Sequence, residues 1–277
     1  GKVNTTGSYN YFSGIYAGHA NTTAFYNQFI GNFAGQFNTT GLANHFCGYL
    51  SGYSNSTGSY NCFNGFETGY WNTTGSNNVA VGERAMQENV DGSENITIGY
   101  QADLTGYSLT NATAIGANSL VNASNKVMIG NTNVTSIGGY ANWSNFSDGR
   151  FKRNVSENVP GIAFIEKLRP VTYTLDIEAI NAFNTKDMRP DSIVLTVNPD
   201  KKNEVYSGFI AQEVEQAANS LQYNFSGVDK PHDADKQTYA LRYSDFVVPL
   251  VKAIQEQQAE IDALLQRIAV LEQKSNQ

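Results

Sequence analysis

The first half of the chain repeats every 17 residues. The sequence Asn-Thr-Thr, or Asn-Ser-Thr in one case, begins at positions 4, 21, 38, 55 and 72. Glycines recur with the same period at Gly14, Gly31, Gly48, Gly65, Gly82, Gly99 and Gly116. A short, fixed period with turn-forming residues in phase predicts a solenoid, in which each turn buries its apolar side only against neighbouring turns. Seventeen residues leave room for two short strands and two turns, and hardly for a helix.

The apolar positions of the repeat change about half-way through it. The first four repeats each carry one aromatic at the same position, Phe12, Phe29, Phe46 and Phe63. From the fifth repeat onward the apolar residues flank that position instead, as Val79 and Val81, Ile96 and Ile98, and then Ile115. Because a shift of one residue exchanges the two faces of a strand, we expect the core to be built differently after about residue 75.

Asparagine and aromatic residues dominate the polar and exposed positions of the repeat. The chain contains thirteen Asn-x-Ser/Thr sequons, but asparagines in register on successive turns predict hydrogen-bonded ladders rather than glycans. One group of aromatics fits three roles: a sugar-binding stripe, contacts between chains, or stacking within the core. Its members are Tyr9, Tyr26, Tyr53, Tyr60, Tyr70 and Trp71. Cys47 and Cys62 are expected to be free thiols, as in a reducing compartment.

Charge and composition exclude several kinds of partner. The formal net charge is −7, and residues 1–140 contain only three basic residues, so no basic cluster is present to bind nucleic acid. No apolar run approaches the ~20 residues of a transmembrane helix, so membrane insertion is not expected. His19 and His45 have no second ligand at metal spacing, and we expect neither a metal nor a cofactor.

A serine and a lysine lie five positions apart where the repeat gives way to a charged segment. A serine hydroxyl needs a base to become a nucleophile, and in Ser-Lys hydrolases that base is a neutral lysine. Asp148 and Gly149 are turn formers, and a turn can bring Ser147 and Lys152 together. The spacing by itself fits a polar linker with a solvated lysine equally well.

Four ordered motifs extend this segment. They are Ser147-Asp148-x-Arg150-x-Lys152-x-Asn154-Val155, Leu168-Arg169-Pro170-Val171-x-Tyr173, Gly208-Phe209-Ile210-Ala211-Gln212-Glu213-Val214 and Tyr243-Ser244-x-Phe246-Val247-x-Pro249-Leu250. Residues 141–277 thereby resemble the endosialidase-type C-terminal intramolecular chaperones of phage tail fibres, tailspikes and neck appendages. The resemblance implies a module that trimerises, templates the folding of the preceding β-structure and then cuts itself off.

Carried over to this chain, the resemblance implies that the Phe146-Ser147 bond is cleaved, with Ser147 as nucleophile and Lys152 as base. Asp148, Arg150 and Asn154 match further motif positions without an assigned chemical step. Gln212 and Glu213 either make a buried polar contact near the nucleophile or simply begin a helix.

The later repeats carry a second resemblance. Residues 112–117 and 127–131 are similar to the β-roll heads of trimeric autotransporter adhesins, which implies that three chains share one structure. The spacing from Gly116 to Gly130 shortens to 14 residues just before the proposed cleavage site.

Beyond the Ser-Asp motif the sequence predicts a mixed α+β domain. We expect a helix over 162–168, strands over 171–175 and 192–197, and a segment over 208–218 that begins extended and becomes helical. A heptad pattern then continues to the chain end, with a and d positions at Val247, Leu250, Ile254, Gln257, Ile261, Leu264, Ile268 and Leu271. Ile at a and Leu at d favour a dimeric coiled coil by peptide rules, whereas the resemblance implies a trimer.

The predicted fold is therefore a mainly β N-terminal solenoid or β-roll, followed by an α+β chaperone domain and a coiled-coil helix. The expected divisions are a repeat shaft or head at 1–140, a linker at 141–146, a chaperone and autoprotease domain at 147–244 and the helix at 245–277. The leading hypothesis is a homotrimeric, virion-located tail fibre or spike with a host-surface glycan or protein receptor. Its chaperone would act as a serine endopeptidase on its own chain only. The alternative is a cell-surface trimeric adhesin that keeps the module as an uncleaved cap.

Overall fold

The N-terminal region is a β-solenoid in a computed structural model that describes residues 3–190, 195 and 197–275. About seven turns span residues 11–129, and each turn adds one short strand to a parallel sheet. The eight strands of this sheet, in spatial order, are β1 (Tyr11–Ser13), β2 (Gln28–Ile30), β3 (His45–Cys47), β4 (Cys62–Asn64), β5 (Val79–Val81), β6 (Ile96–Ile98), β8 (Thr113–Ile115) and β10 (Val127–Ile129).

Most turns contain a single three-residue strand, although the 17-residue period leaves room for two. Only β7 (Asp103–Leu104) and β9 (Leu120–Val121) form a second parallel pair among the described residues. The remainder of each turn bends through left-handed backbone positions, such as Tyr26 (φ 63°) and Phe33 (φ 62°), which cannot continue a strand.

The predicted asparagine ladders are confirmed. In one ladder the side-chain amides join turn to turn, as where Asn55 Nδ2 donates to Asn38 Oδ1 at 2.8 Å. In the other, the backbone N–H of Asn44 donates to Asn27 Oδ1 at 2.9 Å, and its own amide donates to the carbonyl of Gly58 at 2.8 Å. The side chains in the middle of both ladders are buried, so their amides serve as structural donors.

The phenylalanines form a stack inside the first four turns. Ring centroids of Phe29, Phe46 and Phe63 are 4.8 and 5.0 Å apart and nearly parallel, and all three side chains are fully buried. A glycine lies against each ring: a Cβ at Gly52 would come within 2.5 Å of the Phe46 ring. The glycine series thus leaves room for the aromatic series.

The core changes composition after Phe63, as predicted, but the strand faces are not exchanged. Ala80 pairs in register with Phe63 and still points inward, while Val81 and Ile98 are exposed on the outer face. In the turn after Phe63, the buried Met86 occupies the position that holds a glycine against each phenylalanine ring in the earlier turns. The large core side chain therefore lies on the bend after the strand instead of on the strand itself. That exchange of volume removes the need for a register shift.

A segment from the second half of the chain packs with the solenoid. Residues 175–203 belong to the same compact unit as residues 1–137 and contain the helix α2, Ile177–Thr185. The buried carboxylate of Glu88 pairs with Arg189 at 3.0 Å, and the Arg189 guanidinium lies over the rings of Trp71 and Tyr107. The strand predicted from Ser192 to Val197 lies outside the described residues except for positions 195 and 197.

A second acidic group is buried beside this ion pair. Asp103 is fully buried and accepts hydrogen bonds from the backbone N–H groups of Gln87, Glu88 and Leu104. Burial raises the pKa of Asp103 well above its usual range, and the nearby Glu88 carboxylate adds to the rise.

This raised pKa predicts that the solenoid loses stability as the pH rises. The folded state holds a proton on Asp103 that the unfolded state has already released, so the contribution is complete below about pH 4 and is lost as the pH passes the folded pKa. We expect Asp103→Asn to flatten the dependence of the thermal midpoint on pH above about pH 4. Matched thermal scans of both proteins measure this. Parallel pH profiles would contradict it.

The other compact unit comprises residues 138–174 and 204–277. Its described elements are α1 (Ile162–Ile165), the antiparallel pair β11 (Val171–Tyr173) and β12 (Tyr206–Gly208), α3 (Ala211–Ser220), the antiparallel pair β13 (Val228–Asp229) and β14 (Ala240–Leu241), and α4 (Val247–Ser275). Phe164, Val214, Phe225 and Phe246 form its core. The division of the chain at residues 140, 146 and 244 stays a prediction.

The C-terminal helix α4 carries an uncovered apolar stripe. Of its heptad positions, Ile254, Leu264 and Leu271 are 64%, 56% and 64% exposed in the single chain. Such a stripe over 29 residues is the signature of a helix that packs against other helices. Among the described residues, no helix combines the length and hydropathy needed to span a bilayer.

Candidate cleavage site

The predicted site lies where an extended linker meets a short turn. Residues 138–146 have no helix or strand, and Phe146 is 79% exposed. The chain then forms a 3-10 helix at Gly149–Phe151, with Asp148 at its N-cap. The Asp148 side chain accepts a hydrogen bond from the Arg150 N–H at 2.9 Å, which is the usual way an aspartate begins such a turn.

The turn brings the predicted serine and lysine into contact. Lys152 ends the 3-10 helix, and its backbone N–H donates to the carbonyl of Gly149 at 3.2 Å. Its Nζ lies 2.9 Å from Ser147 Oγ and donates a hydrogen bond to it. A five-residue separation in sequence therefore becomes a direct contact between the two functional groups.

Asp148 and Arg150 shape this turn. The Arg150 guanidinium donates to the Asp148 carboxylate from Nε at 2.9 Å and from Nη2 at 2.6 Å. These hydrogen bonds lower the pKa of Asp148 and raise that of Arg150, so the pair stays charged. The carboxylate binds Arg150 twice and the backbone once, which stiffens the loop between Ser147 and Lys152.

The residue before the proposed scissile bond packs on the same turn. The ring centroids of Phe146 and Phe151 are 5.4 Å apart, and the Arg150 guanidinium lies 5.6 Å from the Phe151 ring. Asn154 lies two residues past Lys152 with a left-handed φ of 53°, outside the hydrogen-bonded set formed by the other motif residues.

The other motifs contact one another within the same compact unit. Arg169 of the second motif pairs with Glu213 of the third, with Nε 3.0 Å from Oε2. The helix α3 begins at Ala211, so the interpretation of Gln212 and Glu213 as a helix start is confirmed. Sequence reasoning noted both motifs but missed this pairing, because no local pattern connects positions 44 residues apart.

A residue of the C-terminal helix also forms a hydrogen bond with another element of this unit. The Glu256 carboxylate accepts a hydrogen bond from the N–H of Ile162 at 2.8 Å and so satisfies the N-terminus of α1. Tyr243 of the fourth motif accepts a hydrogen bond from the N–H of Phe209 of the third at 3.2 Å. The sequence signal for the second contact was the presence of Tyr243 and Phe209 in the quoted motifs, whereas Glu256 and Ile162 belong to none of them.

Among known proteins, one family resembles part of this chain. The family model described as the chaperone of endosialidase matches residues 147–223. No curated protein and no solved structure matched significantly.

The matched family is one of self-cleaving intramolecular chaperone peptidases. The combination of this family match with a β-solenoid is consistent with a tail-fibre-like trimeric protein. The match begins at Ser147, the residue whose hydroxyl meets Lys152. Residues 147–223 therefore match the endosialidase-chaperone family, and in this chain they follow an N-terminal β-solenoid with a period of about 17 residues.

Proposed function

We propose that this chain is a phage tail-fibre or spike protein whose C-terminal module drives trimerisation and folding of the solenoid and then cleaves the Phe146-Ser147 bond. Ser147 is the nucleophile and Lys152 the general base. The observation that carries the proposal is the 2.9 Å contact between Lys152 Nζ and Ser147 Oγ.

The reaction is an acyl shift followed by hydrolysis. Neutral Lys152 takes the proton from Ser147 Oγ as the oxygen attacks the carbonyl carbon of Phe146. The peptide C–N bond breaks, the proton passes to the departing nitrogen, and an ester joins Phe146 to Ser147 Oγ. Water then hydrolyses the ester, leaving the Phe146 carboxylate on one fragment and a free Ser147 amino group on the other.

Proximity supports this route. Nucleophile and target carbonyl belong to adjacent residues, so the entropy of bringing them together is already lost before reaction. The Asp148–Arg150 ion pair restricts the loop that carries the base. Lysine donates in the observed contact and must give up a proton before it can act as base.

Trimer assembly offers a way to control that step. Ser147 and Lys152 lie at the surface of the single chain. Packing of three copies through α4 would exclude water from this turn, favour neutral lysine and thereby delay cleavage until assembly is complete. In this proposal the solenoid is the part that remains on the virion and meets a receptor on the host surface.

Intact mass and denaturing electrophoresis test the proposal, with light scattering to give the oligomeric state. Wild type is expected to form a trimer and to yield fragments ending at Phe146 and beginning at Ser147. Ser147→Ala is expected to form an uncut trimer, and the matched control Ser156→Ala to cleave normally. A wild-type trimer that stays whole would sink the peptidase proposal and leave residues 147–277 as a permanent trimerisation cap.

A further inference from the structure

An open pocket of about 430 Å³ lies on the solenoid, near the turn formed by residues 67–84. Its lining includes Glu67, Tyr70, Trp71, Arg84, Gln87 and Arg189. The volume falls within the range of small-molecule sites, and the mixture of aromatic and hydrogen-bonding side chains is the usual composition of such sites.

The pocket arises where the repeat departs from its own pattern. Leu50, Glu67 and Arg84 occupy equivalent positions on successive turns, which one turn earlier hold the aromatic Phe33. Tyr70 and Gln87 are likewise equivalent. The stacked aromatics of the early turns thus give way, over a single turn, to charged and amide groups beside exposed rings.

One polar group in this lining lacks a partner. Gln87 is only 8% exposed, and its Oε1 accepts no hydrogen bond from any part of the chain that the structure describes. Buried acceptors in folded proteins nearly always have a donor. Gln87 lines the pocket, so a rotation of its amide would present this unpaired oxygen to a hydroxyl or N–H of a ligand.

The charges around the pocket already balance. Arg84 Nε lies 2.9 Å from Glu67 Oε2, and Arg189 Nη1 lies 3.0 Å from the buried Glu88 Oε2. Each guanidinium has its own carboxylate, so no net positive charge is left to hold an anionic ligand. The paired groups still offer N–H donors and carboxylate acceptors at their edges.

The aromatic wall fits a ring with an apolar face. Trp71 remains 39% exposed, and Tyr70 meets it edge-on with ring centroids 4.7 Å apart. The Arg189 guanidinium lies 4.7 Å from the Trp71 ring and holds it in place. Pyranose rings combine an apolar C–H face that packs on indole with hydroxyls that both donate and accept.

We infer that this pocket binds one unit of a neutral saccharide, with Trp71 against the sugar ring and Gln87 Oε1 accepting from a hydroxyl. The inference rests on the proposed attachment role of the solenoid and names the site and the class of receptor for it. Arg189 lies beyond the proposed cleavage site, whereas Trp71 and Gln87, the two residues that would contact the sugar, precede it and stay with the solenoid after cleavage.

The test uses the full chain with Ser147→Ala, to keep Arg189 covalently attached, and Trp143→Phe, to leave Trp71 as the only tryptophan. Methyl glycosides of glucose, galactose, mannose, N-acetylglucosamine and N-acetylneuraminic acid are titrated by tryptophan fluorescence and by saturation-transfer NMR. At least one neutral glycoside is expected to bind, and the acidic glycoside to bind more weakly.

Two substitutions locate the site. Gln87→Met removes the acceptor while keeping length, and it is expected to weaken binding about tenfold without lowering the unfolding midpoint. Binding to Trp71→Ala is measured by NMR, and this substitution is expected to weaken binding by at least as much. Tyr100→Ala removes an exposed ring elsewhere on the solenoid and is expected to have no effect.

Three outcomes would overturn the inference: no neutral glycoside binds, the acidic one binds most tightly, or Gln87→Met and Trp71→Ala bind like the parent. Cleavage of the Ser147-containing chain is measured separately and reports only on the chaperone proposal. Normal processing of the wild-type trimer, together with no sugar binding by the Ser147→Ala chain, would therefore exclude the pocket and leave the peptidase intact.

Discussion

Lys152→Arg is expected to abolish detectable self-cleavage while leaving the trimer assembled. Arginine keeps the positive charge and can still donate a hydrogen bond to Ser147 Oγ, but its guanidinium does not deprotonate in proteins. A general base contributes about 10² to 10⁴-fold to such a step, so cleavage should slow by that factor or stop. The accumulation of the two fragments with time, followed by intact mass, measures the effect.

The matched control is Lys167→Arg, an exposed lysine in the same compact unit. It is expected to cleave at the wild-type rate, and light scattering on both variants checks that assembly is unchanged. Cleavage of Lys152→Arg at the control rate would mean that Lys152 acts through its charge alone, and the general-base role would be wrong.

Phe46→Ala is expected to cost about 3–5 kcal/mol of solenoid stability. The ring is fully buried between Phe29 and Phe63, so its removal leaves a cavity with aromatic walls on two sides. Gly52, which lies against the ring, has no side chain that could move in to fill the space. The shift in the thermal or denaturant midpoint measures the loss.

The fifth turn supplies a compensating change. There the equivalent pair is Ala80 and Met86, and Met86 adopts the same left-handed backbone (φ 56°) as Gly52 (φ 59°). Adding Gly52→Met to Phe46→Ala should recover part of the stability. Recovery should be incomplete, since a side chain at positive φ costs about 1 kcal/mol or more.

Tyr60→Ala serves as the control for ring removal, because Tyr60 is 58% exposed. Its unfolding midpoint is expected to stay close to that of the wild type. If Phe46→Ala behaved like Tyr60→Ala, the internal stack would not be what stabilises the first four turns. A double variant no better than the single one would instead refute the exchange of volume between strand and bend.

Periodic and local features of this protein were readable from the sequence. The 17-residue period determined the solenoid, because identical turns can bury their apolar side only by stacking in register. The asparagine positions determined the ladders for the same reason. The contiguous Ser147–Asn154 motif indicated the resemblance to the endosialidase chaperones, and the heptads of the last 30 or so residues indicated the C-terminal helix, since both patterns are local.

Tertiary structure decided what depends on volume and on distant contacts. The pattern of Val79 and Val81 predicted an exchange of strand faces, but Met86 supplies the missing core volume from another part of the turn. Nothing local indicated that residues 175–203 pack with the solenoid, or that Arg189 pairs with the buried Glu88. The Gln87 pocket also depends on residues brought together from separate turns. Period and motif act between neighbours in the chain, whereas packing and ion pairing depend on which surfaces finally meet in space.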